Sequence, residues 1–285
     1  VHITCACENY LKNIDISSPL HVLIVVTGVS GSGKSTLVKS ILYPALHKEL
    51  GGYGMKPGEF TAISGSYKHI KHIEFVDQNP IGRSSRSNPV TYIKAYDDIR
   101  SLFAEQKVSR IRNYQPKHFS FNVDGGRCEV CKGEGEVTIE MQFMADVHLE
   151  CDTCKGKRFK KEVLEATFDG KSIHDVLTMT IDNALAFFMA NEQQKIVNKL
   201  QPLQDVGLGY VQLGQSSSTL SGGEAQRIRL ASQLGSRLVG TLYVLDEPTI
   251  GLHSRDNDKL IKTLTDLRDL GNTIVVVEHD EDTIY

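Results

Sequence analysis

The chain has no tryptophan, no apolar run of about 18 residues and no excess of positive charge. Without such a run, no helix of it is expected to span a bilayer, and no membrane partner is expected. The 32 Lys+Arg stand against 35 Asp+Glu, a net charge of −3. Bulk charge therefore points to no nucleic acid, and such a ligand needs a local basic patch. A basic stretch followed by a long apolar one, the mark of a secretory signal, is missing from the N-terminal residues, so the expected compartment is the cytoplasm. With 40% apolar and 24% charged residues, collagen-like, coiled-coil and disordered classes are excluded. A length of 285 residues is enough for one large domain or two smaller ones with a real core.

Cysteine is scarce too, at six residues, and four of them are grouped. Cys128-x-x-Cys131 and Cys151-x-x-Cys154 are each followed by a Lys-Gly pair. In a reducing compartment, paired knuckles of this kind read as metal ligands rather than disulfides. Four thiolates satisfy tetrahedral Zn²⁺ and leave no position open, which makes the site structural. Two redox C-x-x-C motifs are the competing reading; the duplication and the following glycines favour zinc. Residues 137–147 between the knuckles read as a hairpin arm. Cys5 and Cys7 read as plain small apolar residues.

Apolar periodicity organises the rest. The run at 22–26, rich in β-branched residues, and the short segments 73–76, 242–245 and 273–277 read as strands. Helical spacing covers 34–50, 91–106, two or three segments within 172–205, a stretch from Ser221, and 254–270. Strands alternating with helices at both ends imply an α/β fold with a mostly parallel sheet, interrupted by an insertion. The boundaries expected are a core over 1–80 and 216–285, an insertion over 81–215, and a cysteine module at 119–161.

Gly28-Val29-Ser30-Gly31-Ser32-Gly33-Lys34-Ser35 fits G-x-x-x-x-G-K-[ST] between a strand and a helix. Glycines let backbone N–H groups turn toward phosphate oxygens, and the helix N-terminus adds partial positive charge. Gly28, Ser30, Gly31, Ser32, Gly33, Lys34, Ser35 and Thr36 are the candidate phosphate contacts. Lys34 would reach the β- and γ-phosphates of ATP, and the Ser35 hydroxyl would ligate Mg²⁺. A glycine-rich turn that merely precedes a helix is the bland alternative.

The strand at 241–245 ends in Asp246-Glu247-Pro248. In a phosphate-loop enzyme this puts Asp246 near the metal and Glu247 near the attacking water. Alone, the pair reads as a solvated strand end. Leu220-Ser221-Gly222-Gly223-Glu224 precedes it, and Glu278-His279-Asp280 closes the following strand. Ser221 with Glu224 is a capping box on its own terms. The two glycines add a helix end that another anion can approach.

Together with Gln78 in Val-Asp-Gln, these motifs occur in the order of the ATP-binding cassette (ABC) superfamily, which the chain resembles. The resemblance implies an ABC-type phosphate-loop ATPase core with a helical signature lobe that here carries the tetracysteine module. It implies Gln78 sensing the metal and the attacking water, Glu247 as general base and His279 on the γ-phosphate. It also implies Ser221, Gly222 and Gly223 binding a nucleotide held by a second cassette, so that hydrolysis needs two cassettes or a homodimer.

The interval from Gln78 to Leu220 is about twice that of a transporter cassette. Glu8-Asn-Tyr-Leu-Lys-Asn13, Pro80-Ile-Gly-Arg-Ser-Ser-Arg-Ser-Asn-Pro89, Phe119-Ser-Phe-Asn-Val, both knuckles and Asp205-Val-Gly-Leu-Gly-Tyr210 resemble the UvrA family of damage-sensing ATPases in nucleotide excision repair. That resemblance implies binding of damaged double-stranded DNA and handover to UvrB through a region not expected here. Residues 1–224 resemble the family's C-terminal cassette, whereas 250–257 and 278–284 resemble the tail of its N-terminal one, as in a fragment, a paralogue or a splice. Residues 82–117 hold eight basic residues against three acidic ones, with Arg83, Arg86, Arg110 and Arg112 as candidate phosphate contacts. A solvated basic face is the alternative there. Other readings of the chain are a non-hydrolysing zinc-stabilised DNA-binding module, a zinc-lidded nucleoside monophosphate kinase and a transporter cassette.

Overall fold

Two short apolar runs of this chain, 241–245 and 273–277, become strands buried on both faces. The structure, a computed structural model, describes residues 1–278 apart from 10, 83, 85, 140, 142–145, 237, 251 and 253 and the side chains of 254 and 255. Its strands are β1 (His2–Ala6), β2 (Ile14–Ser17), β3 (Leu23–Val26), β4 (Ala62–Ser64), β5 (His72–Val76), β6 (Glu136–Ile139), β7 (Val147–Glu150), β8 (Thr241–Asp246) and β9 (Thr273–Val277). Two compact units result, one from residues 1–79, 205–207 and 222–285, the other from 80–204 and 208–221.

The first unit is built on a four-stranded parallel sheet in the order β3-β9-β8-β5. All of β9 and the first five residues of β8 are buried. Leu242, Val244, Val275 and Val277 pack with Ile41 and Leu46 of the covering helix. Each such side chain contributes about 1.5–3 kcal/mol relative to exposure. The helix expected over 34–50 is wound in π form over Thr36–Leu42 and as an α-helix over Tyr43–Glu49. On the helix Ser254–Asp269, Leu260, Leu264 and Leu267 are buried at helical spacing. A second sheet, β2-β1-β4, is antiparallel. Sequence reading missed it because its strands alternate weakly and β1 carries a bulge between Ile3 and Ala6. Cys5 is half-buried there and Cys7 exposed, so neither is a core residue.

The second unit is helical and carries the cysteines. The single helix expected over 91–106 is instead Pro89–Tyr92, Tyr96–Ala104 and Lys107–Ile111. Lys94 in the left-handed region (φ 60°) breaks it. That break lets Val90, Ala95, Tyr96 and Ile99 all be buried, a gain that outweighs the helical propensity of the segment. Asn88 caps the first of these helices by accepting from Thr91 N–H at 3.0 Å, with Pro89 at its first position. The segment 172–205 forms three helices, Ile173–Thr178, Ile181–Ala190 and Gln194–Asp205.

Candidate functional site

Strand register sets up the first site. In the parallel sheet, Val26 of β3 and Asp246 of β8 both stand level with Val277 of β9. The glycine loop and the acidic pair therefore leave the same edge of the sheet, about 10 Å apart across one strand. Ligands of open α/β sheets bind beyond the carboxyl ends of the strands. Val76 of β5 is level with Leu245, which brings Gln78 beside Asp246 from the other side. The Gln78 amide donates to the Asp246 backbone oxygen at 3.4 Å.

In the loop, Gly28, Gly31 and Gly33 have φ of 146°, 80° and 94°. A Cβ on Gly33 would also meet Leu11 Cδ2 at 2.9 Å. Ser30, Gly31, Ser32 and Ser35 are exposed, Thr36 is half-buried, and Lys34 is 7% exposed. The Lys34 ammonium donates to the carbonyls of Gly28 (2.7 Å) and Val29 (2.9 Å), so the loop closes around its own cation. A polyphosphate is the ligand chemistry that matches such a cradle.

Asp246 Oδ1 is buried and has no hydrogen-bond partner among the described residues. Asp246 lines, with Glu247, Gln78, Asp77, Asn79, Lys39 and Phe75, a cavity of about 280 Å³. An orphaned carboxylate oxygen in such a place fits a hard cation such as Mg²⁺. Glu247 sits in the left-handed region (φ 48°), its N–H donating to Val277 O at 2.8 Å. A glutamate held there is an observed backbone outlier in the lining of the cavity. His279 lies outside the described residues.

Three residues of this unit were given no role of their own in the sequence. Glu278, 2% exposed, accepts from Thr249 N–H (3.0 Å) and Thr249 Oγ1 (2.6 Å), which pins the turn after the acidic pair. Gln226, 1% exposed, donates to the backbone oxygens of Val76 (2.9 Å) and Asp246 (2.8 Å). Arg229 pairs with Asp77. Only a buried polar residue on an otherwise apolar face could have signalled them, and burial is not visible in a sequence. Ser221 is exposed and directly precedes the helix Gly222–Ser236. Gly222 and Gly223 also serve their own chain. A Cβ on Gly222 would stand 3.2 Å from Gln78 Cβ, and one on Gly223 would stand 2.7 Å from Ile250 O.

In the second unit, Cys128, Cys131, Cys151 and Cys154 are all buried, their sulfurs within 4.8 Å of one another. The Cys128–Cys151 and Cys131–Cys154 sulfurs are 3.9 and 3.6 Å apart. Tetrahedral zinc with bonds of about 2.3 Å requires sulfurs about 3.8 Å apart, so the donor set fits Zn²⁺. Both knuckles turn through positive φ at the lysine as well as the glycine, Lys132-Gly133 and Lys155-Gly156. A side chain on Gly133 would strike Phe121 O at 2.2 Å. Burial pushes Cys154 up to about 12 and raises Cys131 too. Burial acts the same way on Cys151, but the N–H groups of Cys154 and Thr153 and the Cys154 and Cys128 thiols outweigh it, drawing it down to about 7. Phe119, Phe121 and Phe159 of the same unit are buried too, with Tyr96 O–H donating to Phe119 O at 2.5 Å. The arm between the knuckles is the antiparallel pair β6–β7.

Of the candidate DNA contacts, Arg83 lies outside the described residues. Arg86 is 3.5 Å from Glu134 of the first knuckle. Arg112 pairs with Glu165 and donates to Glu162 O at 2.8 Å. Arg110 is exposed.

No family model matches the chain. It is 53% identical over all 285 residues to the UvrABC system protein A of Clostridium acetobutylicum, and covers 30% of that protein. The proteins of the same name from Clostridium perfringens and Staphylococcus epidermidis are 54% and 52% identical, over 98% and 100% of this chain and again 30% of their own lengths. The crystal structure of UvrA2 from Deinococcus radiodurans superposes with a TM-score of 0.88 at 45% identity, over 99% of this chain and 34% of that one. The chain thus spans about a third of the length of the proteins it matches. Among its described helices none is long and apolar enough to cross a membrane.

Proposed function

We propose, from the premise that this chain is a UvrA-like ABC cassette, that it binds and hydrolyses ATP and that its nucleotide state controls binding to damaged double-stranded DNA. The observation that carries the reading is the buried, unpartnered Asp246 oxygen, on a residue level with the end of β3 across β9 that lines one cavity with Glu247 and Gln78.

Backbone N–H groups of 28–35 and the Lys34 ammonium hold the phosphates, Lys34 exchanging its two loop carbonyls for phosphate oxygens. Ser35 and Asp246 hold Mg²⁺, which when bound polarises the terminal phosphate and offsets its charge. Glu247 takes the proton of the attacking water, Gln78 orients that water, and His279 meets the γ-phosphate. Ser221, Gly222 and Gly223 complete the site of a second cassette, either in a longer chain or in another copy. Each lone copy then has half of each site. Cys128, Cys131, Cys151 and Cys154 hold structural Zn²⁺.

Phosphate contact with DNA falls to residues 82–117. The arm 136–150 carries four carboxylates and no Lys or Arg, so its electrostatics oppose a backbone contact. Within 82–117, exposed Arg110 is the strongest contact. Arg86 must first leave Glu134. Replacing Arg110 and Arg86 with Gln is expected to weaken DNA binding across sequences and to lower the slope of log affinity against log salt by about 1 per residue. Unchanged slopes would leave the segment as ordinary surface.

The whole reading is tested by titrating damaged and intact duplex DNA with ATP, with ADP and without nucleotide. Affinity is expected to depend on the nucleotide, and Lys34→Ala to erase that dependence along with nucleotide binding. Identical curves in all states would refute the coupling.

A further inference from the structure

The helix Gly222–Ser236 begins with the glycines that, on the reading above, meet the nucleotide of a second cassette. Its first turns are fastened to this chain's own site at several points. Gly222 lies against Gln78, where a Cβ would come within 3.3 Å of Gln78 O. One turn further on, both N–H bonds of the Gln226 amide are spent on backbone oxygens, those of Val76 and Asp246, at the carboxyl ends of β5 and β8. Three residues beyond, on the same helix face, Arg229 pairs with the Asp77 carboxylate and reaches Asp77 O at 3.4 Å. The helix is therefore tied to Val76, Asp77, Gln78 and Asp246, the sensor glutamine and the metal-site carboxylate among them.

A neutral amide suits the two donor contacts of this place, although its own oxygen is buried without a hydrogen-bond partner among the described residues. It offers two donors from one nitrogen to two carbonyls and brings no charge into a buried position. Glutamate would set a carboxylate against both oxygens. An apolar side chain of equal length would leave two buried carbonyls without these donors.

We propose that Gln226 is a positioning residue that links the glycine end of this helix to the chain's own Gln78 and Asp246, so that nucleotide held at one composite site is felt at the other. The proposal rests on the ATPase reading above. A phosphate drawn onto Gly222 and Gly223 shifts the helix start, the Gln226 amide carries the shift to the backbone of Asp246, and the metal site adjusts. Two sites coupled in this way bind and turn over ATP cooperatively, and the coupling is reciprocal for binding.

The test compares wild type, Gln226→Met and Arg229→Met. Arg229, partly exposed and outside the reacting groups, keeps the test open should Gln226→Met fail to fold by circular dichroism. Three readouts are taken on each: the Hill coefficient of ATP turnover, metal-free binding of a fluorescent ATP analogue, and Mn²⁺ affinity with nucleotide by electron paramagnetic resonance. In Gln226→Met the Hill coefficient is expected to fall from above 1 to about 1, with Mn²⁺ affinity lower by about tenfold and metal-free nucleotide binding unchanged. Arg229→Met is expected to move the Hill coefficient in the same direction by a smaller amount. A merely structural role would lower nucleotide binding together with the rest. A wild type that neither binds nor turns over ATP sinks the parent reading. One that does both, with equal Hill coefficients and Mn²⁺ affinities in every variant that folds, sinks the coupling alone.

Discussion

Glu247→Gln is expected to lower ATP turnover by about 10²–10⁴-fold, the contribution of a positioned general base, while nucleotide stays bound. In barrier terms that is about 3–5 kcal/mol. The amide keeps the size of the side chain and its place in the cavity with Asp246 and Gln78, but it cannot take a proton from water. The main-chain bond from Glu247 N–H to Val277 O is untouched by the change, so the left-handed turn survives. Phosphate contacts at 28–36 are also untouched. The variant should therefore accumulate in the ATP-bound, two-cassette state, visible as a larger species in light scattering with ATP and not with ADP. Single-turnover rates equal to wild type would remove Glu247 from the mechanism and leave the water to another base.

The second large effect concerns the metal. Structural Zn²⁺ in small modules contributes an apparent binding free energy of about 10–16 kcal/mol at neutral pH, most of it coupled to folding. Cys151→Ser, or prolonged treatment with a strong chelator, is expected to release the arm 136–150 and expose residues 128–154 to proteolysis. All eight residues of β6 and β7 are exposed, so the hairpin has no core of its own and depends on the knuckles at its base. Below the knuckles the loss should stop. Tyr96, Phe119, Phe121 and Phe159 are buried against each other independently of the sulfurs, and their amides should keep their protection in hydrogen exchange. Freshly purified protein without about one zinc per chain would end the tetracysteine argument.

Much of the candidate site could be read without coordinates because the chemistry proposed for it needs particular residues in fixed order. The glycine loop, Gln78, the signature stretch, the acidic pair and the two knuckles are local motifs, each carrying its own spacing. The parallel strands were equally legible, since 242–245 and 273–277 are apolar on both faces. The antiparallel sheet was not, for its short strands of mixed pattern gain their partners only through pairings such as Ile3 with Ile63, sixty residues along the chain. The break at Lys94 was also hidden, because helical spacing continues across it and only the burial of Ala95 and Tyr96 decides against a straight helix.

By itself, the order of residues determined which chemical groups this chain brings: a glycine loop with its lysine, two acidic side chains at a strand end, four thiols in two matched turns. Those depend on contacts within a few residues, where backbone geometry alone dictates the outcome. Tertiary structure decided which groups are already committed and which are left facing a cavity. Arg112 and Arg86 reach carboxylates far away in sequence, Gln226 spans two strands, and one oxygen of Asp246 is buried with no hydrogen-bond partner among the described residues. Burial and long-range pairing are properties of the folded volume, and a local motif carries no record of them.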